Sequence, residues 1–303
     1  MILTSSMQQL FRRDCTRSLQ WMKKNYIYTI SSATSFHKKP SVFENSEPLD
    51  HPDAGEDSFT SLKDAKYAFN AVLDGVGGWT SIGIDPSKFS WGLVRELEKE
   101  FKHFDNDKFP DPLSLLTNAF SSLKKSNSVK AGSSTVCTTI FEKQSGKLHS
   151  LNLGDSGFLI LRKGAVFYES PPQVLQFNMP YQLAIYPSPY VSKNEITPYM
   201  SDLTKHQLHN GDLVILATDG VFDNLDSRSV LEIANRALSE TSIDGDFTKR
   251  LADSICDTAV TNSKNTKWIS PFAKAARNYG LKFRGGKVDD TTVTCMLIQQ
   301  PST

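Results

Sequence analysis

The chain has 303 residues, 39% of them hydrophobic and 22% charged, with a net charge of +1. That profile suits a globular protein with a large core and leaves room for one big domain or two ordinary ones. The near-neutral total conceals an asymmetry: residues 1–43 hold seven Lys/Arg and one acid, which leaves the remaining chain at about −5. An acidic body argues against nucleic acid as a partner, because duplex binding rests on Lys and Arg contacts to phosphates. The cysteines, Cys15, Cys137, Cys256 and Cys295, are scattered with no CxxC. A disulfide framework or zinc site is disfavoured, and a reducing compartment fits. No apolar run approaches the roughly 18 residues of a membrane helix.

In chain order, residues 3–24 come first. On a 3.6-residue period, Leu3, Met7, Leu10, Phe11, Trp21 and Met22 fall on one side. Arg12, Arg13, Arg17, Lys23 and Lys24 fall on the other, with Leu19 a misfit. A basic amphipathic helix followed by Ser/Thr-rich TISSATSF has the composition of a mitochondrial presequence, and a basic surface tail is the plainer alternative. Residues 31–54, with Pro40, Pro48 and Pro52, read as a linker, so the division expected is 1–44 presequence and linker, 45–303 folded domain. Residues 55–62 and 66–74 read as two strands. A helix follows near 86–104, with Phe89, Leu93, Leu97 and Phe101 at four-residue spacing, and a second starts at Asp111-Pro112. Residues 133–169 read as a strand meander. Residues 171–200 carry six prolines without periodicity and read as an irregular excursion, a candidate lid. A buried strand at 211–219, helices near 227–239, 246–262 and 271–279, and a closing strand at 293–298 complete the pass. This order is α+β, and its simplest arrangement is a central antiparallel β-sandwich flanked by helices.

Acids cluster at the strand edges. Asp74 ends a strand in VLDGVGGW, Asp219 ends one in LVILATDGVFD, and Asp289 precedes one in GGKVDDTTV. Glu56 and Asp57 open another in GEDSF. A single Asp-Gly after a strand is usually a turn. Three such edges plus an acidic pair make independent turns a poor explanation. Mn²⁺ and Mg²⁺ prefer oxygen ligands and keep several waters, so a few carboxylates suffice to hold them. Two such ions about 3.5–4 Å apart can activate a water and stabilise an attacked phosphoryl group.

The ordered set EDS, DGxGG, GDSG, DGxxD and GGxxDD resembles the metal-dependent type 2C Ser/Thr protein phosphatases, the PPM family, over nearly all of residues 50–300. DGVGGWTSIGIDPSKFS, FNMPYQLAIYPSP and SPFAKAARNYGLKFRGGKVDDTTV look like its mitochondrial branch, which implies a matrix location. The resemblance implies hydrolysis of phosphoserine and phosphothreonine in phosphoprotein substrates by a metal-bridging hydroxide. Asp74 would bridge two Mn²⁺ or Mg²⁺ ions, with the Gly75 carbonyl on one and Asp219 and Asp289 completing the other. Glu56 and Asp57 would hold metal-bound waters, and Asp155 and Asp223 match a weaker third site. Two positions depart from the family pattern. Val76 stands where a His is common, and Pro52 where an Arg often grips phosphate. Arg284 and Lys287 are candidate replacements, or else solvated loop charges.

Other readings fit less well. No Cys is followed six positions later by Arg, no Walker A pattern occurs, and Asp155-Ser156-Gly157 lacks the GxSxG spacing. Asp105-Asn106-Asp107 reads as a polar turn. The rival function is a non-catalytic phosphoprotein-binding scaffold of the same fold.

Overall fold

Strands whose residues are apolar on both faces must be covered on both faces, and that condition organises the molecule. The computed structural model describes residues 27–41, 43, 49–104, 109–190 and 195–300. The 3–24 helix and the 105–107 turn expected from the sequence lie outside them. One sheet holds β1 (Thr29–His37), β7 (Gly157–Arg162), β8 (Ala165–Glu169), β13 (Leu213–Ala217) and β14 (Thr291–Gln299), in the order β1-β14-β13-β7-β8. The other holds β2 (Asp57–Lys63), β3 (Tyr67–Asp74), β5 (Val136–Glu142), β6 (Lys147–Leu153) and β12 (Asp202–Gln207), in the order β12-β6-β5-β3-β2. Every pairing in both sheets is antiparallel.

The two-residue period sorts side chains into three cores. Along β3, Ala68 and Val72 point between the sheets, where they meet Phe141, Phe158, Val214, Leu216 and Met296. Phe69, Ala71 and Leu73 point outward, under α1 (Ser87–His103) and α2 (Pro112–Ser126), and pack with Phe89, Leu93, Leu97 and Leu116. Asp111 caps α2 by accepting from Ser114 N at 2.9 Å, with Pro112 in its first turn. On the other sheet, Leu159, Ile215, Val293 and Cys295 pack beneath α3 (Asp219–Phe222), α4 (Ser227–Glu240) and α5 (Phe247–Ser263). The layers run helix, sheet, sheet, helix, as expected. A short α6 (Pro271–Asn278) follows, and no helix among the described residues is long and apolar enough to cross a membrane.

Two expectations need correction. The segment read as linker begins with part of β1, which pairs with β14 over nine residues from Thr29↔Gln299 to His37↔Thr291. TISSATSFH has almost no apolar face, because an edge strand that is only half-buried does not need one; Ser32 and Thr34 instead hydrogen-bond Ser61 and Thr294 across sheets and strands. The folded body therefore starts by residue 29, ahead of the expected boundary at 45. The excursion at 171–200 is also partly ordered. It forms a hairpin of β9 (Val174–Gln176) and β10 (Met179–Pro180), and then β11 (Leu183–Ile185) pairs with β4 (Gly132–Ser134).

Candidate metal centre

The acids meet at one end of the sandwich because strand ends of both sheets meet there. Asp57 opens β2, Asp74 closes β3, and the two are direct register partners, so their side chains share a face. Asp155 sits in the turn from β6 to β7. Asp219 follows β13, and Asp289 immediately precedes β14 with only Asp290 between. Gly75 hydrogen-bonds the Glu56 carbonyl at 3.1 Å, and a Cβ there would lie 2.5 Å from that oxygen. Gly220 is stricter: a Cβ would meet the Asp290 carbonyl at 1.9 Å, so the chain after Asp219 packs against the chain before β14 only as glycine. The Thr218 hydroxyl donates to Asp57 Oδ2 at 2.8 Å and accepts from Thr292 N at 3.0 Å, tying all three segments together.

Carboxylate oxygens of Asp74, Asp155 and Asp219 lie within 4.8 Å of one another. The Oδ1 atoms of Asp57, Asp155 and Asp219 are buried and have no hydrogen-bond donor among the described residues. Burial, reinforced by the Asp219 carboxylate, pushes Asp74 well above the usual carboxylate range and Asp155 up to about 7. Burial likewise raises Asp57, Glu56 and Asp223. A nest that resists holding its own negative charge, lined by oxygen donors that lack partners, fits hard divalent cations. Asp289 runs the other way: burial would raise it, but Lys287 and Lys39 more than offset this and hold it below the ordinary value.

Those lysines are the groups that sequence reasoning misplaced or missed. Lys287 Nζ lies 2.6 Å from Asp219 Oδ2, 2.6 Å from Asp223 Oδ2 and 3.0 Å from Asp289 Oδ2. It was expected at a substrate phosphate and instead sits among the acids. Arg284, its companion candidate, is exposed. Lys39, from the presumed linker, places Nζ 2.6 Å from Glu56 Oε2 and 2.7 Å from Asp289 Oδ1. Asp290 is a clasp: Oδ1 accepts from Lys39 N at 2.7 Å and Oδ2 from Glu56 N at 3.0 Å. The Asp-Asp doublet hinted at Asp290, whereas nothing in the sequence around Lys39 pointed to a site. Pro52 is exposed, and Val76 N donates to Ser133 O at 3.0 Å.

Several clefts open on this end, and two of them reach the acids differently. One, of about 260 Å³, joins Asp155, Asp219 and Asp223 to an apolar wall that includes Phe222 and Phe272. The other, of about 320 Å³, is lined by Lys38, Lys39, Glu56 and Asp85.

The Stage II sporulation protein E (SpoIIE) family pattern matches residues 90–267. The chain is 58% identical to the 5-azacytidine resistance protein azr1 of Schizosaccharomyces pombe, over 92% of this chain and 94% of that protein. It is 37% identical to the Protein phosphatase PTC7 homolog of Danio rerio, over 76% of each. Among solved structures, the photosystem II phosphatase PBCP superposes with a TM-score of 0.71 at 26% identity, over 89% of this chain and 99% of that one. Sequence identity at this level, shared along a four-layered fold whose acids converge at one end of the sandwich, has one family explanation: the chain belongs to the type 2C (PPM) family of metal-dependent Ser/Thr protein phosphatases.

Proposed function

We propose that this chain hydrolyses phosphoserine and phosphothreonine monoesters in proteins, using Mn²⁺ or Mg²⁺ held by Asp74, Asp219 and Asp289. The observation that carries this reading is the convergence of Asp74, Asp155 and Asp219 oxygens within 4.8 Å, with buried Oδ1 atoms of Asp155 and Asp219 that no donor among the described residues reaches. An all-oxygen donor set suits two hard ions, with Asp155 and Asp223 available to a weaker third. Bound there, such ions would activate water and stabilise charge developing on the phosphoryl group.

The chain's own residues do the placing. Thr218 fixes Asp57 from β13, the β2–β3 register fixes Asp57 beside Asp74, and Asn224 holds the loop that carries Lys287. Val76 offers no proton to a leaving group, so water is left to supply it. For location we propose the mitochondrial matrix, supported by the basic composition of residues 1–43. A fluorescent fusion that stays cytosolic with residues 1–26 present would count against it.

One observation favours the rival scaffold reading: two lysines already neutralise part of the acidic cluster. Phosphate release from a phosphopeptide by the full chain, titrated with Mn²⁺, separates the two. The expected result is Mn²⁺-dependent turnover in the wild type and a fall of roughly a hundredfold or more in kcat for Asp74→Asn, with unchanged folding by circular dichroism. Near-normal turnover in that variant would sink the site assignment.

A further inference from the structure

Asp289 is expected to hold a cation, yet each of its oxygens already faces an ammonium. Oδ1 lies 2.7 Å from Lys39 Nζ, and Oδ2 lies 3.0 Å from Lys287 Nζ. Lys287 spans to Asp219 and Asp223, and Lys39 to Glu56 and, at 3.4 Å, to Asp290. An ammonium and a divalent ion on the same carboxylate oxygen repel each other and compete for its lone pairs, so an ammonium held this close weakens metal binding there.

Resting on the metal reading above, we propose that Lys39 and Lys287 are internal competitors for the cation site. The two ammonium groups neutralise the acids in the metal-free protein, and metal loading exchanges an ammonium for a divalent ion at Asp289. The exchange moves a side chain and breaks no covalent bond.

Lys39 is the group built to leave. It hangs from the connection between β1 and β2, its side chain is 25% exposed, and it lines the 320 Å³ cleft that gives its ammonium somewhere to go. Asp290 holds its backbone N–H at 2.7 Å, so only the side chain has to swing. Lys287 is pinned. Asn224 Oδ1 accepts from its backbone N–H at 3.0 Å, and Asn224 Nδ2 donates to its carbonyl at 2.9 Å. Its side chain is less exposed than that of Lys39, and its ammonium lies 5.1 Å from the Phe272 ring. Lys39 is thus a positioning residue that sets how much divalent ion the enzyme needs before Asp289 becomes a ligand. The nest of Asp74, Asp155 and Asp219 carries no such toll on its Oδ1 side, since no donor among the described residues reaches the buried Asp155 and Asp219 Oδ1 atoms.

The test is calorimetric Mn²⁺ titration of the full-length wild type, Lys39→Met and Lys39→Arg. Lys39→Met should bind Mn²⁺ roughly ten- to a hundredfold more tightly, the equivalent of one lost charge-assisted contact set, and Lys39→Arg should return towards the wild-type affinity. Metal-free Lys39→Met should melt below the wild type, and saturating Mn²⁺ should close that gap. A second measurement needs no variant. Saturating Mg²⁺ should raise the rate at which an amine-acylating reagent labels Lys39, relative to exposed Lys163, as read by mass spectrometry. An unchanged or weaker Mn²⁺ affinity in Lys39→Met, or Lys39 labelling that Mg²⁺ leaves unaltered, overturns the exchange while leaving the metal reading standing. A wild type that binds no Mn²⁺ at all overturns both.

Discussion

Asp290 shows how much a single carboxylate can do without touching the chemistry. It is 2% exposed, and its two oxygens accept the backbone N–H groups of Lys39 and Glu56, which lie on segments remote from it in sequence. Removing it strands the buried Glu56 donor and the half-buried Lys39 donor, and a stranded buried donor costs about 1–3 kcal/mol. Asp290→Ala is therefore expected to destabilise the metal-free protein by on the order of 3 kcal/mol in urea unfolding, and Asp290→Asn, which keeps one acceptor oxygen, by less. An Asp290→Ala protein as stable as the wild type would show that the clasp is unimportant. The same residue marks a limit of sequence reading. Asp289 and Asp290 are chemically identical neighbours, and alternation along the approach to β14 sends one to the acid nest and the other to the backbone. Only the fold distinguishes them. Asp74 and Asp219 were legible because both Asp-Gly turns end apolar strands and recur with the acids at 56, 57 and 289, and Asp155 through the family resemblance of GDSG, whereas Lys39 sat in a stretch with no pattern at all.

At the scale of elements, the helices and inner strands were readable because each buries a periodic apolar face. Phe89, Leu93, Leu97 and Phe101 announced α1, and the doubly buried run of β3 announced a central strand. β1 defeated the same logic. An edge strand packed mainly through hydroxyl groups has no hydrophobic signature, and its identity is conferred by β14, its partner. The correction has a practical outcome. A chain that begins at residue 45 lacks β1, leaves β14 as an open edge with unpaired backbone groups, and removes Lys39 from the acids. Such a truncation is expected to be insoluble or to melt at least 10 °C lower than a chain that begins at residue 27, as read by solubility and thermal denaturation, on the order of what losing a paired strand implies. Equal stability of the two would mean that β1 is dispensable.

For the whole molecule, the site depends on the relative placement of two sheets. Asp57 and Asp74 belong to one sheet, Asp219 and Asp289 flank strands of the other, and the core between them is built from Phe141, Phe158, Val214, Leu216 and Met296. Phe141→Ala empties part of that shared layer and is expected to cost about 3–5 kcal/mol and to weaken Mn²⁺ binding as well. Phe120→Ala, on the buried face of α2, should lower stability without moving Mn²⁺ affinity. Denaturant unfolding together with Mn²⁺ calorimetry on both variants checks the contrast, and equal losses of affinity would refute the dependence on sheet placement.

The pairing of β1 with β14 has a temporal meaning too. Thr34 and Thr294 touch although 260 residues separate them. During synthesis the first strand must wait, unpaired, until residues 291–299 have left the ribosome, and Asp289 emerges just ahead of them. A partly made polypeptide can collapse its middle strands early, but the acidic end stays incomplete until Asp289 has emerged. A nascent chain that stops short of Asp289 therefore lacks part of its acidic cluster.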